Sequence, residues 1–468
     1  MPRAAARPPS AGPPLLPLAV RARRAVAESV TGLPRAFWWL FTSTLVNRLG
    51  SFVATFLALF LTTERGYSAS YAGLVGALYG LGGVLASVVA GVLTDRLGRR
   101  PTMMCAQVCT AVSVAALAFM EHPVAIAVTA CAVGMASNAS RPAVQAMIAD
   151  LVPAKDRVRA FSLNYWAVNL GFAVSSSAAG LIAQYSYRVL FFGEAALVLL
   201  CALVVFAKLP ESRPDQGSGQ GSDQGSEQGS EQGSGTSPRG RAAVADGAVS
   251  LWTVLRDGRF MTVVALNLVM ATMIQQAFVA LPVTMGKEGF SSTDFGMVIA
   301  ANGVLIVLLQ IPVTRMIERR DPGLTLMVSA LLMGYGFGLN AFAGSVGFFA
   351  LAVLVWTLGE IVYTPTQMGL VVRLSPTHGR GRYQGVFTLS WALASLGAPL
   401  LGGLVIDGLG SPALWAGCAL LGTAAAAVYG VLVRRMREED SGGGPEGNPE
   451  GAAPEGEGVP GPRKGSPA

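Results

Sequence analysis

The sequence predicts an all-α membrane protein whose twelve transmembrane helices form two pseudo-symmetric six-helix bundles. Three observations predict it. Twelve largely apolar runs, each near the 20 or so residues that cross a bilayer as helix, divide the chain. Of its 468 residues, 52% are hydrophobic and only 13% charged, and the mean hydropathy is +0.51. A soluble domain carries about 25% charged residues. Landmarks of the first half also recur in the second at a constant offset, the mark of an internal duplication. Strands of a membrane barrel would alternate in polarity over about ten residues, and that pattern is not seen in the sequence.

Residues 1–36 are rich in Pro, Ala and Arg and hold no compact apolar core ahead of a cleavage site. They read as a cytoplasmic tail rather than a signal peptide. Spans 1 to 6 follow at 37–62, 70–94, 102–120, 123–148, 160–183 and 189–208, within an amino-terminal bundle of residues 37–208. Residues 209–250 contain DQGSGQGSDQGSEQGSEQGSG, too polar and too rich in Gly and Ser to build a core, and so predict a flexible cytoplasmic linker. Spans 7 to 12 are expected at 259–284, 294–316, 323–342, 345–371, 385–406 and 411–433, within a carboxyl-terminal bundle of residues 251–436. The Gly-, Pro- and Glu-rich remainder, 437–468, predicts a disordered tail.

Orientation follows from the basic residues. With both termini in the cytoplasm, the inner segments hold Arg96, Arg99 and Arg100, Lys155, Arg157 and Arg159, Arg315, Arg319 and Arg320, and Arg373, Arg380 and Arg382. The outer loops then hold only Arg65, Arg188 and Lys287. Cytoplasmic loops of membrane proteins carry this excess of Lys and Arg. The expected location is the plasma membrane, as a multi-pass monomer.

The linker separates halves that repeat each other. Gly66-Tyr67-Ser68 matches Gly289-Phe290-Ser291, Gly73 matches Gly296, Gly80 matches Gly303, and Pro142 and Pro153 match Pro365 and Pro376, all 223 positions apart. After a three-residue insertion, Phe161-Ser162-Leu163 pairs with Phe387-Thr388-Leu389 and Leu170-Gly171 with Leu396-Gly397.

Between spans 2 and 3 lies a knot of charge and glycine, Gly91-Val92-Leu93-Thr94-Asp95-Arg96-Leu97-Gly98-Arg99-Arg100-Pro101. Charges gathered at the end of an apolar run mark a membrane surface, because they are costly at the bilayer centre. The spacing resembles the signature loop between helices 2 and 3 of the major facilitator superfamily, and 314–321 is its degraded copy. The resemblance covers residues 37–433. It implies that Gly91, Asp95, Arg96, Gly98, Arg99 and Arg100 belong to a gating motif, with Asp150 at the end of span 4 as the partner of Arg99. Drug–proton antiporters of that superfamily carry G-x-x-x-G-P-x-x-G-G on helix 5. Here the positions are Gly171, Ser175, Ser176, Ala179 and Gly180, without the Gly-Pro; span 11 keeps more of it in Ala394, Ala398, Pro399, Gly402 and Gly403.

Ionisable groups at membrane depth are functional candidates by default. Four occur: Arg48 in span 1, Arg141 in span 4, Glu194 in span 6 and Glu360 in span 10. Helices 1, 4, 7 and 10 line the central cavity in the resembling family, which places Arg48, Arg141 and Glu360 there. Arg48 and Glu360 each sit about 11 residues, roughly 16 Å, from the cytoplasmic ends of their spans, a depth at which Glu360 can pair with either arginine. Glu360 is the expected proton-titrating group and the arginines its cavity charges. Glu194, near the outer end of span 6, is expected to snorkel or to sit at an interface. Asn47, Asn164, Tyr165, Asn169, Asn267, Gln275 and Gln367 are the expected substrate lining, with Asn138, Gln276, Asn302, Trp166, Trp356 and Tyr363 as further polar and aromatic candidates. Two arginines against one glutamate favour an anionic or zwitterionic substrate if both face the cavity.

The expected function is secondary active transport, by alternating access, of small amphipathic compounds such as drugs or secondary metabolites, coupled to protons as an exporter. A proton-coupled importer of a metabolite or peptide is the alternative; Phe161 to Tyr165 and Asn169 to Gly171 echo peptide symporters, although their paired-glutamate motif is absent from span 1. A transport-inactive receptor or scaffold is a third. An enzyme is not expected: His122 and His378 are far apart, and no Gly-x-x-x-x-Gly-Lys-Ser/Thr phosphate loop occurs. The five cysteines all lie inside apolar runs and none forms a C-x-x-C, so no metal or cofactor is expected, and the scattered basic residues predict lipid headgroups rather than nucleic acid as their surroundings.

Overall fold

The computed structural model describes residues 31–210 and 251–442, except 154–155, 318–319 and 377–378. The linker from 211 and most of both expected tails lie outside the described residues. Among the described residues every regular element is helical. Eleven helices are long and apolar enough to cross a membrane. The exception is span 3, Arg99–Leu117, which is 19 residues long and buries Thr102, Gln107 and Thr110 on one side. Its helix is present, but these polar residues lower its apolar character; Thr102 and Thr110 donate back to Gly98 O and Ala106 O one turn earlier.

The spans run Ala69–Leu97 (span 2), Pro123–Leu151 (4), Arg157–Tyr185 (5) and Tyr187–Lys208 (6) in the amino half. In the carboxyl half they run Ser292–Ile317 (8), Pro322–Gly338 (9), Val346–Leu374 (10), Arg380–Gly408 (11) and Ser411–Gly442 (12). Spans 1 and 7 are each in two pieces, Arg35–Leu49 with Val53–Leu59 and Gly258–Gln275 with Ala280–Lys287. A short helix, Leu251–Arg256, precedes span 7. Span 12 continues to Gly442, taking in the first residues of the stretch expected to be a disordered tail.

Side chains that satisfy orphan N–H groups fix several helix starts. Ser68 accepts from Tyr71 N at 3.1 Å, Asp257 from Phe260 N at 3.0 Å and Asp321 from Leu324 N at 2.8 Å. Between spans 2 and 3 the chain reverses through Gly98 alone, whose φ of 102° is open to glycine and strained for other residues.

Packing follows the duplication. In the amino half span 1 packs on 5 and 6, span 2 on 4, and span 3 on 4 and 6; in the carboxyl half 7 packs on 11 and 12, 8 on 10, and 9 on 10 and 12. The halves meet along two equivalent seams, span 2 against 11 and span 5 against 8. Large apolar side chains face outward, among them Val112 (63% exposed), Leu203 (61%), Leu308 (64%) and Leu420 (72%). Such a belt would be a liability in water and is the natural exterior in lipid.

Both seams lie toward the face that carries the 64–69, 287–292 and 408–411 connections, called here the far face. The opposite, terminus face carries Gly98 and Ser375. Gly73 and Gly80 abut the backbone of Pro399 and Ser395, and Gly296 and Gly303 abut Ser176 and Asn169. Glycine permits this approach because no Cβ intervenes. The halves are therefore closed together at the far face.

Candidate functional site

The break in span 1 organises the site. Its first piece ends at Leu49 and its second starts at Val53, so the first N–H groups of the second piece are cut off from the helical ladder of the first. Glu194 of span 6 supplies an acceptor: its Oε2 accepts from Phe52 N at 2.8 Å and from Val53 N at 2.7 Å. Glu194 is only 4% exposed. This corrects the expectation of a snorkelling or interface residue, because span 6 turns that face inward, against the break.

On the last turn before the break, Asn47 and Arg48 point into a cavity of about 450 Å³. Arg141 and Gln145 of span 4, Gln107 of span 3, and Asn164 and Tyr165 of span 5 complete its polar wall. All come from the terminus-face halves of their helices. Five expected site residues, Asn47, Arg48, Arg141, Asn164 and Tyr165, are thus brought together. Among the described residues no carboxylate pairs with either arginine, and the two guanidinium groups repel each other.

Glu360 stands on the carboxyl half. Its Oε2 accepts from Asn302 Nδ2 at 2.9 Å, and that amide also donates to Thr357 Oγ1 at 3.0 Å. The expected ion pair with Arg48 or Arg141 is not formed: among the described residues Glu360 has no cationic partner. The arginines belong to the amino-half cavity, and the amide of span 8 occupies the carboxylate instead. Tyr165, on the cavity wall, is near enough to Glu360 to interact with it electrostatically.

Four expected lining residues, Asn169, Asn267, Gln275 and Gln367, do not line this cavity. Asn267 (0% exposed) and Gln367 (1%) are inside the carboxyl bundle, not against the cavity. Asn267 accepts from Tyr363 Oη at 2.8 Å and donates to Ser390 Oγ at 2.7 Å, while Gln367 accepts from Tyr429 Oη at 3.0 Å and donates to Val263 O at 3.3 Å. Their polarity is satisfied across spans 7, 10, 11 and 12. Gln275 donates to Ser395 Oγ at 3.2 Å, tying span 7 to 11. Asn169 donates back to Tyr165 O at 2.9 Å. Trp356, another expected candidate, is stacked on Phe337 with ring centroids 4.9 Å apart.

In the signature loop, Arg99 Nε donates to Asp150 Oδ2 at 3.0 Å, joining spans 3 and 4. Arg100 donates to Phe206 O and lies over the Phe206 ring, and Arg96 is exposed. These contacts stay within the amino half. They brace it and do not bridge the halves in this conformation. The side chain of Asp95 and the packing at Gly91 lie outside what is described.

One group that sequence reasoning missed sits at the far face. Asp407 of span 11 accepts from Ala69 N at 3.2 Å and Ser70 N at 2.6 Å at the start of span 2, with Lys287 Nζ at 3.4 Å. Its signal was an acidic residue just beyond an apolar run, facing the charge of Lys287 in an expected outer loop. Among the described residues no cluster of His, Cys, Asp and Glu is arranged to hold a metal ion.

Paired helix bundles with a polar cavity at membrane depth define a multi-pass membrane carrier. The Major Facilitator Superfamily profile matches residues 40–399 and 263–461, and the chain belongs to that family. It is a transporter of small molecules, not an enzyme. Over 369 residues it is 25% identical to a Na(+), Li(+), K(+)/H(+) antiporter of Planococcus maritimus, covering 74% of this chain and 84% of that one. It is 23% identical to the multidrug resistance protein MdtH of Aeromonas salmonicida over 409 residues, 86% of this chain and 96% of the relative. A POT family transporter solved in complex with 5-aminolevulinic acid superposes with a TM-score of 0.67 over 87% of this chain and 97% of its own, at 16% identity. That likeness is one of fold.

Proposed function

We propose that the protein is a proton-coupled exporter of small amphipathic organic compounds, working by alternating access in the plasma membrane as a monomer with both termini in the cytoplasm. The observation that carries this reading is Glu360, an acid at membrane depth held by one neutral amide and, among the described residues, by no cation. A carboxylate locked to arginine stays charged, whereas one held by an amide can exchange its charge for a proton as its surroundings change. Its neighbour Tyr165 belongs to the cavity wall, so a bound compound and a proton at Glu360 can sense each other. The similarity to an antiporter and to a multidrug resistance protein supports export of this kind. With the terminus face in the cytoplasm, the basic residues of the connections fall on the inner side, as membrane insertion favours.

The test is Glu360→Gln in reconstituted vesicles, with ethidium among a panel of amphipathic compounds. The variant is expected to lose proton-driven accumulation while still exchanging labelled compound across the membrane without a gradient. Proton-driven transport at the unaltered rate would remove Glu360 from coupling.

A further inference from the structure

We infer that the amino-half cavity is an anion-binding subsite, and that its ligand is an organic acid with an aromatic or apolar body and hydrogen-bond donors of its own. The inference rests on the reading of the chain as a carrier of amphipathic compounds and names the chemical class its cavity takes. Arg48 and Arg141 reach the same space from spans 1 and 4, and among the described residues no Asp or Glu lines it. Neither guanidinium has a hydrogen-bond acceptor or an ion-pair partner among the described residues, and each feels the other's charge. Two uncompensated like charges at membrane depth are costly unless an anion joins them. A carboxylate is the natural complement, since guanidinium presents its donors in a fork that matches two oxygens.

A second observation points to the same space. Thr44 Oγ1, Gln107 Oε1 and Asn164 Oδ1 are buried without a hydrogen-bond partner among the described residues, and all three residues line this cavity. Buried polar atoms are normally satisfied, so three orphans around one cavity mark where a ligand's polar groups belong. The amide oxygens accept, which asks for hydroxyl or N–H groups on the ligand. Tyr165 supplies an aromatic surface for its body, and about 450 Å³ suits a compound of drug-like size.

The purified full-length chain would be titrated calorimetrically with 6-hydroxy-2-naphthoate and with 6-hydroxy-2-naphthamide, which keeps the shape and loses the charge. The acid is expected to bind about tenfold more tightly than the amide, the gain of a charge-assisted contact. Arg48→Gln and Arg141→Gln should each erase most of that preference and leave amide binding within about twofold. Equal affinity for acid and amide in the unaltered protein, or a preference that survives both substitutions, would overturn the inference. Thermal midpoints guard against misfolding: removing one of two repelling, unpaired charges should leave stability unchanged or raised. A marked fall in either variant would make the arginine a structural group and overturn the assignment. Vesicle assays separate this inference from the functional reading. Proton-driven ethidium transport without a preference for the acid keeps the reading and sinks the subsite. Acid preference without transport of any panel compound keeps the subsite and sinks the reading.

Discussion

Glu194 meets the two N–H groups at the start of the second piece of span 1, at 2.8 and 2.7 Å; Phe52 N also donates to Gly50 O at 3.0 Å, so Val53 N is the donor that depends on the carboxylate. The N-terminus of a helix carries partial positive charge, so a carboxylate there satisfies both the donors and the dipole. Glu194→Ala would leave the Val53 N–H without an acceptor, at about 1–3 kcal/mol, and should lower the thermal midpoint of the purified protein by several degrees. Glu194→Gln, which keeps an acceptor, should fall between the two. A midpoint for the alanine variant equal to that of the parent would exclude the capping role. The sequence placed this residue at membrane depth but on the wrong side of its helix. The run 189–208 is apolar nearly all round, so its periodicity does not say which face turns inward. Asn267 and Gln367 were misread for a related reason. A polar residue in an apolar run announces its depth, while its partners, here Tyr363, Ser390 and Tyr429, sit on other helices that only folding brings near.

At the scale of elements, the duplication was legible in full register, but its physical purpose was not. Gly73 and Gly296, matched 223 positions apart, and Gly80 and Gly303, likewise, prove to be the contact points of the two seams between halves. The sequence displays the repeat because the same helix–helix approach is made twice; which helix is approached depends on the packing of all twelve. A Cβ at Gly80 would lie 2.4 Å from Ser395 O and at Gly73 2.3 Å from Pro399 O. Van der Waals contact requires about 1 Å more, and the atoms in the way are backbone, so the helices themselves must part. Gly80→Val is accordingly expected to open the far face and to abolish transport. Pulsed electron paramagnetic resonance between labels at Glu121→Cys and Gly344→Cys, one on each half, should record a longer distance than in the parent. An unchanged distance distribution would mean that the seam yields elsewhere. Gly402, beside the seam glycine Gly403, faces Gln276 of the broken span 7 instead, a distinction invisible in the motif that joins them.

For the whole molecule, the seams and the Asp407 clamp act at the same face and favour the same state, far face closed and terminus-face cavity formed. Asp407 belongs to the carboxyl half, yet it caps span 2 of the amino half through Ala69 N and Ser70 N and draws in Lys287. Opening the far face must break the bonds to Ala69 N and Ser70 N together, whereas the Asp407–Lys287 pair, internal to the carboxyl half, and the Arg99–Asp150 pair, internal to the amino half, each move with their own bundle. A charge-assisted hydrogen bond contributes about 1.5–3 kcal/mol. A membrane potential supplies about 2.3 kcal/mol per charge per 100 mV. The clamp and the driving force are thus of one order, and a change at Asp407 should shift the balance of states without destroying the fold. Asp407→Ala is expected to raise the far-face-open population about tenfold, the shift that 1.4 kcal/mol produces, read with the same pair of labels at 121 and 344. Lys287→Ala should have a smaller effect, because its side chain is 47% exposed and its pairing is screened by water and salt. If Asp407→Ala leaves the distribution of distances as it was, the far face is held by the glycine seams alone.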